Sequence, residues 1–190
     1  GAKVKTLMDV RNNIGQQLYN SMMAQRMQEL TQKANPPFLY GGSEYGDFLS
    51  NLDAYTSVAL AKDAASMETA LGAVLEENAR VQKFGFTQPE LDRAKKDFMN
   101  SMEQYYKEKD KTKSANLVQE LLDHFLHDKP FMGIDAYFNL VKKNLDGVTL
   151  KEVNGLAKKY ITDKNRAVVV MGPDKSKDAM ITEAKIRKML

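Results

Sequence analysis

The chain has 190 residues, a formal net charge of +3 and no cysteine. This length suits one large domain or two small ones, and it is enough to bury a sizeable core. Basic residues are interspersed with acidic ones, which does not indicate a nucleic-acid surface. The lack of cysteine excludes disulfides and thiolate metal sites, and no apolar run approaches the roughly 18 residues of a membrane span.

A long amphipathic helix is predicted over residues 4–33, where apolar side chains recur at three-, four- and seven-residue steps. Asn35-Pro36-Pro37 ends it, because the residue before a proline avoids the α conformation. Two strands are predicted over residues 38–49 and 52–62, the second with the alternation of a half-buried strand. Ser50-Asn51 suits the turn between them, so the pair indicates an antiparallel hairpin.

A tight junction between two helices is predicted around Gly85. This glycine is expected to close the first helix in a left-handed conformation, because it has no Cβ to clash. Thr87 and Glu90 have the spacing of a capping box, which starts the second helix. Phe86 and Leu91 are placed to form a hydrophobic staple across that start.

The rest of the chain is mostly helical by its periodicity, with helices expected over residues 63–84, 89–109, 114–127 and 134–144. Gly147 is expected to close the last of these. The pattern of glycine followed by a capping box then repeats. Thr149 and Glu152 form a second capping box before a helix that ends near Tyr160. Val148 and Val153 are placed as its staple.

The apolar run 167–171, Ala-Val-Val-Val-Met, has the length and composition of a strand buried on both faces. The order of helix, hairpin, several helices and strand predicts an α+β fold with helices on one face of a mostly antiparallel sheet. Three strands are few for a sheet, which suggests a piece of a larger protein. We expect a domain over residues 1–173 and a linker, with the start of the next segment, over 174–190.

Catalytic motifs are absent from the sequence. His124 and His127 are the only histidines, and their spacing puts them on one helix face, where zinc would need a third ligand from elsewhere. A helix end with polar residues is the simpler interpretation. Neither His-Glu-x-x-His nor His-x-x-Glu-His occurs, and there is no Gly-x-Ser-x-Gly elbow or phosphate-binding glycine loop.

Several segments together resemble the non-catalytic module of the pitrilysin/insulinase family of zinc metallopeptidases. They are Arg26-Met27-Gln28-Glu29-Leu30, Asn35-Pro36-Pro37-Phe38, the run Gly-Phe-Thr-Gln-Pro-Glu-Leu-Asp-Arg-Ala-Lys over 85–95, and Val-Val-Val-Met-Gly-Pro over 168–173. The resemblance covers roughly residues 5–173, and its specificity lies in the order and spacing of these segments.

The resemblance implies a metallopeptidase-like α+β fold, similar to LuxS and the processing peptidases, truncated at its N-terminal strand. In this family, homologous domains pair, and one of them carries zinc and the general-base glutamate of His-x-x-Glu-His. Because this sequence lacks that motif, the resemblance implies an inactive domain with no metal of its own. It would enclose a peptide substrate beside a zinc-bearing catalytic domain, in the bacterial cell envelope or periplasm, with the cytoplasm as the alternative.

The resemblance also implies substrate-binding residues, since some inactive partner domains supply an arginine and a tyrosine that reach the substrate. Arg26 and Tyr40 are the nearest matches by position, although the residues before Tyr40 depart from the family's usual Gly-Leu-Ala-Tyr. An ion pair between Arg26 and Glu29, or another neighbour, is the structural alternative.

The sequence leaves two other functions open. One is a stand-alone module that binds a protein partner with its methionine-lined first helix. The other is a zinc enzyme that uses His124 and His127.

Overall fold

A computed structural model describes residues 7–49, 52–109 and 133–190. Six α-helices and two β-strands are found in these residues, together with 3₁₀ turns at Ala64–Ser66 and Asp174–Ala179. In chain order they are α1 (Leu7–Thr31), β1 (Tyr40–Leu49), β2 (Leu52–Leu60), α2 (Met67–Phe84), α3 (Gln88–Lys107), α4 (Ile134–Asn144), α5 (Leu150–Tyr160) and α6 (Glu183–Met189).

The strands β1 and β2 form the predicted antiparallel hairpin. Tyr40 is paired with Leu60 and Tyr45 with Tyr55, and the register shifts between Asp47 and Leu49, near the end of β1. Side chains of alternate residues point to opposite faces, and α1 and α2 pack against the inner face. The α+β class and the antiparallel pairing are therefore confirmed.

The core lies between α1, the inner face of the hairpin and the remaining helices. The long first helix contributes the apolar stripe that its sequence period predicts, with buried side chains that include Ile14, Leu18, Met22, Met23 and Met27. Since these methionines are almost fully buried, they are core residues, and they do not form an exposed binding face.

Both predicted capping boxes are confirmed, but the two glycines before them behave differently from the prediction. Gly85 has a positive φ of 75°, with ψ of −170°, so the chain leaves the helix in an extended rather than a left-handed helical conformation. Gly147 is not among the residues with positive φ. Its role is a close approach, since a Cβ there would lie 3.1 Å from Nη1 of Arg11.

The strand predicted over residues 167–171 does not form. These residues belong to no strand, and Val169 and Met171 are exposed. The physical reason is that a strand requires a neighbour to complete its hydrogen bonds, and the only sheet in the described part of the chain contains β1 and β2 alone. The helix predicted over 114–127, with both histidines, lies outside the described residues.

The charged C-terminal segment folds back along the molecule. The helix α6 packs near α2, where Nζ of Lys185 lies 2.6 Å from Oε2 of Glu68. The Cε atom of Met189 lies 3.3 Å from the position of a Cβ at Gly72. The domain boundary after residue 173 stays a prediction.

Candidate functional site

The predicted site residue Arg26 lies at the junction of α1, α2 and α3. Its Nε and Nη2 atoms donate to the two carboxylate oxygens of Glu90, at 2.6 and 3.1 Å. Nη1 donates to Oε1 of Glu77 at 3.0 Å, and Nη2 also donates to the carbonyl of Gly85 at 3.1 Å. The side chain of Arg26 is only 15% exposed. The ion pair expected as the alternative therefore exists, but with Glu77 and Glu90, whereas Glu29 accepts from Gln25.

Burial and hydrogen bonding compete at this junction. Burial by itself lowers the pKa of Arg26, but hydrogen bonds and charge attraction from Glu90 and Glu77 outweigh it, so the pKa is raised. At Glu90 burial acts in the opposite direction, because it favours the neutral carboxyl and by itself raises the pKa. The hydrogen bonds from Arg26 and Thr87 outweigh this effect, so the pKa of Glu90 is lowered. The pair is thus held in its charged form, which is the arrangement that makes burial of ions tolerable.

The same arrangement occurs a second time on α1. Arg11 binds the carboxylate of Glu152 through Nε at 3.1 Å and Nη2 at 2.9 Å, and Nη2 also donates to the carbonyl of Gly147. In both junctions the glutamate also accepts from the N-cap threonine, at 2.7 Å from the backbone N–H. The long helix α1 therefore fixes the first turn of α3 with Arg26 and that of α5 with Arg11.

Asn154 connects the two junctions, because it lies on α5 and binds the backbone of Phe86 between α2 and α3. Its Oδ1 accepts from the N–H of Phe86 at 2.7 Å, and its Nδ2 donates to the carbonyl of Phe86 at 3.1 Å. A Cβ at Gly85 would lie 2.6 Å from the amide of Asn154. Glycine is needed at this position both for its positive φ and for this close approach.

A chain of hydrogen bonds fixes the hairpin to the helices beneath it. Tyr19 donates to Tyr55 at 3.2 Å, Tyr55 to Asn78 at 3.0 Å and Asn78 to Ser57 at 2.9 Å, and Ser57 bonds Ser43 at 2.8 Å. Burial raises the pKa of Tyr19 and of Tyr55, so both hydroxyls stay neutral and can donate. The inner face of the hairpin is therefore a satisfied polar layer above the apolar core.

The other predicted site residue, Tyr40, lies on the outer face of the hairpin. Its side chain crosses Gly42, where a Cβ would lie 2.9 Å from the tyrosine hydroxyl. Tyr40 is 59% exposed, and its neighbours Leu60 and Val58 are 56% and 50% exposed. The structure therefore presents Tyr40 to solvent on an apolar surface and places Arg26 within the helix layer, with no hydrogen bond between them.

The part of the chain that the structure describes holds no group of three or more His, Asp or Glu side chains placed to bind a metal ion. Nor is any helix in that part both long and apolar enough to cross a membrane.

Sequence reasoning missed several residues of this arrangement, above all Arg11 and Asn154. A signal for Arg11 was present, because Gly-Phe-Thr-x-x-Glu and Gly-Val-Thr-x-x-Glu repeat in the sequence. Two equivalent glutamates suggest two equivalent partners on the long helix. No local signal indicates Asn154, which acts on a residue 68 positions away.

Comparison with known proteins finds no matching family model. A zinc protease PQQL-like protein of Arabidopsis thaliana is 24% identical over 170 residues, which is 90% of this chain and 15% of that protein. The chain thus spans a small part of the length of this curated relative.

Solved structures resemble the fold over most or all of its length. The first half of the periplasmic protease PqqL from Escherichia coli matches 100% of this chain with 41% of its own, at a TM-score of 0.79 and 16% identity. The longer PqqL structure matches 99% of this chain with 21% of its own, at a TM-score of 0.79 and 18% identity. A predicted insulinase family protease from Yersinia pestis matches 83% of this chain with 34% of its own, at a TM-score of 0.70 and 16% identity.

Proposed function

We propose that this chain, a segment related to the pitrilysin/insulinase family of zinc proteases, is a non-catalytic domain of such a protease. It would form part of the chamber in which a partner domain hydrolyses peptides. The observation that carries the proposal is a likeness to PqqL over 99–100% of the chain, in a sequence with only two histidines and no His-x-x-Glu-His. Zinc and the general base would then belong to the partner domain.

The two faces of the hairpin suit a domain that lines one side of the proposed chamber. One face of the hairpin is fixed to α1 and α2 through Tyr19, Tyr55 and Asn78, and the opposite face carries exposed apolar side chains. We propose that this outer face is turned toward the substrate. Tyr40 is the residue we expect to touch the peptide directly.

Arg26, unlike Tyr40, is held by hydrogen bonds within the helix layer. Four of its hydrogen bonds are made to Glu77, Glu90 and Gly85, and contact with substrate would require some of them to open. Substrate contact by Arg26 therefore stays a prediction, while its support of the junction is observed. Experiments can distinguish substrate contact from support of the junction, because only support of the junction affects the stability of the isolated chain.

We propose the periplasm as the location, since PqqL of Escherichia coli is a periplasmic protease. The cytoplasmic alternative has no comparable support.

The experiment is a deletion of this segment from the parent protein, followed by measurement of zinc content and of hydrolysis of a quenched fluorescent peptide. We expect hydrolysis to be lost while zinc stoichiometry stays unchanged, because the metal ligands lie elsewhere. Loss of zinc together with activity would instead favour a metal site in this segment, which His124→Ala would locate. Full activity without the segment would favour a separate protein-binding module.

A further inference from the structure

The outer face of the hairpin carries a single charged residue. Ser43 and Tyr45 point inward, since Ser43 is buried and Tyr45 stacks on Tyr160 with 3.8 Å between the ring centroids. Alternate residues of a strand point to opposite faces, so the residues between these point outward. The outward set is Tyr40, Gly42, Glu44 and Gly46 of β1, with Leu52, Ala54, Thr56, Val58 and Leu60 of β2. Glu44 is the one charged residue in this set.

Glu44 lies near the middle of the outer face, opposite Thr56. It is exposed, and within the described ranges no hydrogen bond or ion pair joins its carboxylate to another residue. The segment 40–60 contains no lysine or arginine, although the chain as a whole has a net charge of +3. The hairpin itself therefore provides no cation for this carboxylate.

Glycines flank Glu44 on both sides of the same face, and the fold accounts for only one of them. A Cβ at Gly42 would lie 2.9 Å from the hydroxyl of Tyr40, so the tyrosine side chain occupies that place. A Cβ at Gly46 would meet nothing within 4 Å, and Gly46 is not among the glycines with positive φ. Neither packing nor backbone conformation requires glycine there. A glycine in a strand weakens it and often marks the close approach of a ligand or another chain.

The surroundings of Glu44 on β2 are apolar. Leu52 is 53% exposed on one side of Thr56, and Val58 and Leu60 are 50% and 56% exposed on the other. A carboxylate within an apolar surface is complementary to a side chain that carries its charge at the end of an apolar stem. Arginine and lysine have this construction, and arginine also matches the geometry of a carboxylate with two parallel N–H groups.

We propose that Glu44 is a specificity-determining residue, which selects peptides that carry a basic side chain between apolar ones. The cationic group pairs with the carboxylate of Glu44, its stem lies over the open position at Gly46, and the apolar neighbours contact Val58 and Leu60. Tyr40 lies four residues from Glu44 on the same face, about 13 Å along the strand. A peptide that touches Tyr40 can therefore place a basic side chain at Glu44. The inference deepens the proposed function and rests on it, since it names the class of substrate.

The test measures binding to the 190-residue chain by NMR titration, so it does not depend on hydrolysis. The probe is a peptide of about nine residues, uncharged apart from a central arginine and long enough to reach from Glu44 to Tyr40. Two comparison peptides carry glutamine or glutamate in place of the arginine. We expect the arginine peptide to bind about threefold more tightly than the glutamine peptide, and the glutamate peptide to bind most weakly. The differences should shrink as salt is added.

Charge reversal at Glu44 separates selection from a structural effect. In Glu44→Lys the order should invert, so that the glutamate peptide binds more tightly than the arginine peptide, and in Glu44→Gln the three peptides should bind alike. Both changes are made at an exposed position and should leave the fold intact. Glu76→Lys, on the exposed surface of α2, changes the net charge by the same amount and should keep the original order.

Gly46→Val tests the open position beside the carboxylate. Valine is favoured in strands and has space there, so the chain should fold at least as well. The added side chain should nevertheless weaken binding of all three peptides, because it obstructs their approach to the face.

An arginine preference that survives Glu44→Lys would overturn the proposal. So would equal binding of the three peptides, or amide signals of Glu44, Gly46 and Thr56 that do not shift with the arginine peptide. Failure of the proposed function has a different signature, which is full hydrolysis by the parent protein after deletion of the segment. If the order of the peptides still inverts in Glu44→Lys in that case, the selection by Glu44 stands and the role in proteolysis does not.

Discussion

Arg26 on α1 donates hydrogen bonds to both carboxylate oxygens of Glu90, the residue that completes the capping box of α3. A single glutamate therefore serves two purposes, because it caps its own helix through Thr87 and anchors that helix to α1. Arg11 and Glu152 repeat the relationship at the start of α5, with greater exposure to solvent. The helix layer that supports the hairpin is thus assembled on one long helix through two matched ion pairs.

Replacing Arg26 tests how much this anchoring stabilises the fold. Arg26→Ala leaves Glu77 and Glu90 with less compensation in a largely buried setting, and the free energy of unfolding should fall by about 3 kcal/mol. Arg187→Ala is the control, because its pair with Glu183 is exposed, and it should cost no more than about 0.5 kcal/mol. Urea unfolding compares the two, and equal losses would show that the junction contributes no more than a surface pair.

Stability should also depend on pH through Glu90, whose pKa is lowered in the folded chain. A carboxyl with a lowered folded pKa stabilises the protein above its unfolded pKa of about 4.3, and this contribution is lost as pH falls through the folded value. Urea unfolding between about pH 6 and pH 3 should show stability falling in acid. Glu90→Gln should be less stable at pH 6 and should lose less on acidification. An unchanged pH slope in Glu90→Gln would contradict this account.

Gly85 and Gly155 provide a matched pair of glycine substitutions. Gly85→Ala places a Cβ at a positive φ and against Asn154, and it should destabilise the chain by about 2 kcal/mol. Gly155 lies within α5 with open space at its Cβ position. Gly155→Ala should therefore raise stability by up to about 1 kcal/mol through helix propensity. Thermal unfolding checks both signs, and unchanged or raised stability in Gly85→Ala would contradict the tight junction.

Substitution of Tyr40 tests the proposed substrate-facing surface separately from the stability of the fold. Because its side chain is exposed, Tyr40→Ala should change the free energy of unfolding by no more than about 0.5 kcal/mol. In the parent protein, the proposed function predicts that the same change lowers kcat/KM for peptide hydrolysis, whereas Tyr40→Phe should retain most of the activity through the ring. Unaltered kcat/KM in Tyr40→Ala would mean that the tyrosine does not contact the substrate.

The sequence predicts well the features that depend on near neighbours. Thr87 and Glu90 are three residues apart, and their capping box forms as its spacing indicates. The hairpin follows from alternation and a turn, and the stripe of α1 follows from its period. These features are local, so a single sequence contains most of the information that specifies them.

Features that depend on distant partners were not predictable in the same way. Glu90 lies 64 residues from Arg26, and a local ion pair with Glu29 was equally compatible with the sequence. The run 167–171 has strand composition, but composition does not provide the neighbouring strand that a ladder needs. The hydrogen bonds from Asn20 and Gln16 to the carbonyl of Tyr45 at the edge of β1 likewise join residues 25 and 29 positions apart, which no local pattern indicates.

Complementation tests most directly whether this segment is a required, non-catalytic part of a peptidase, as we propose. The parent protein without the segment is mixed with the purified 190-residue chain, and hydrolysis of a quenched fluorescent peptide is followed over increasing chain concentration. We expect no hydrolysis by either component alone and a saturable return of hydrolysis when both are present. Hydrolysis at the full rate by the deleted parent, with no response to added chain, would contradict it.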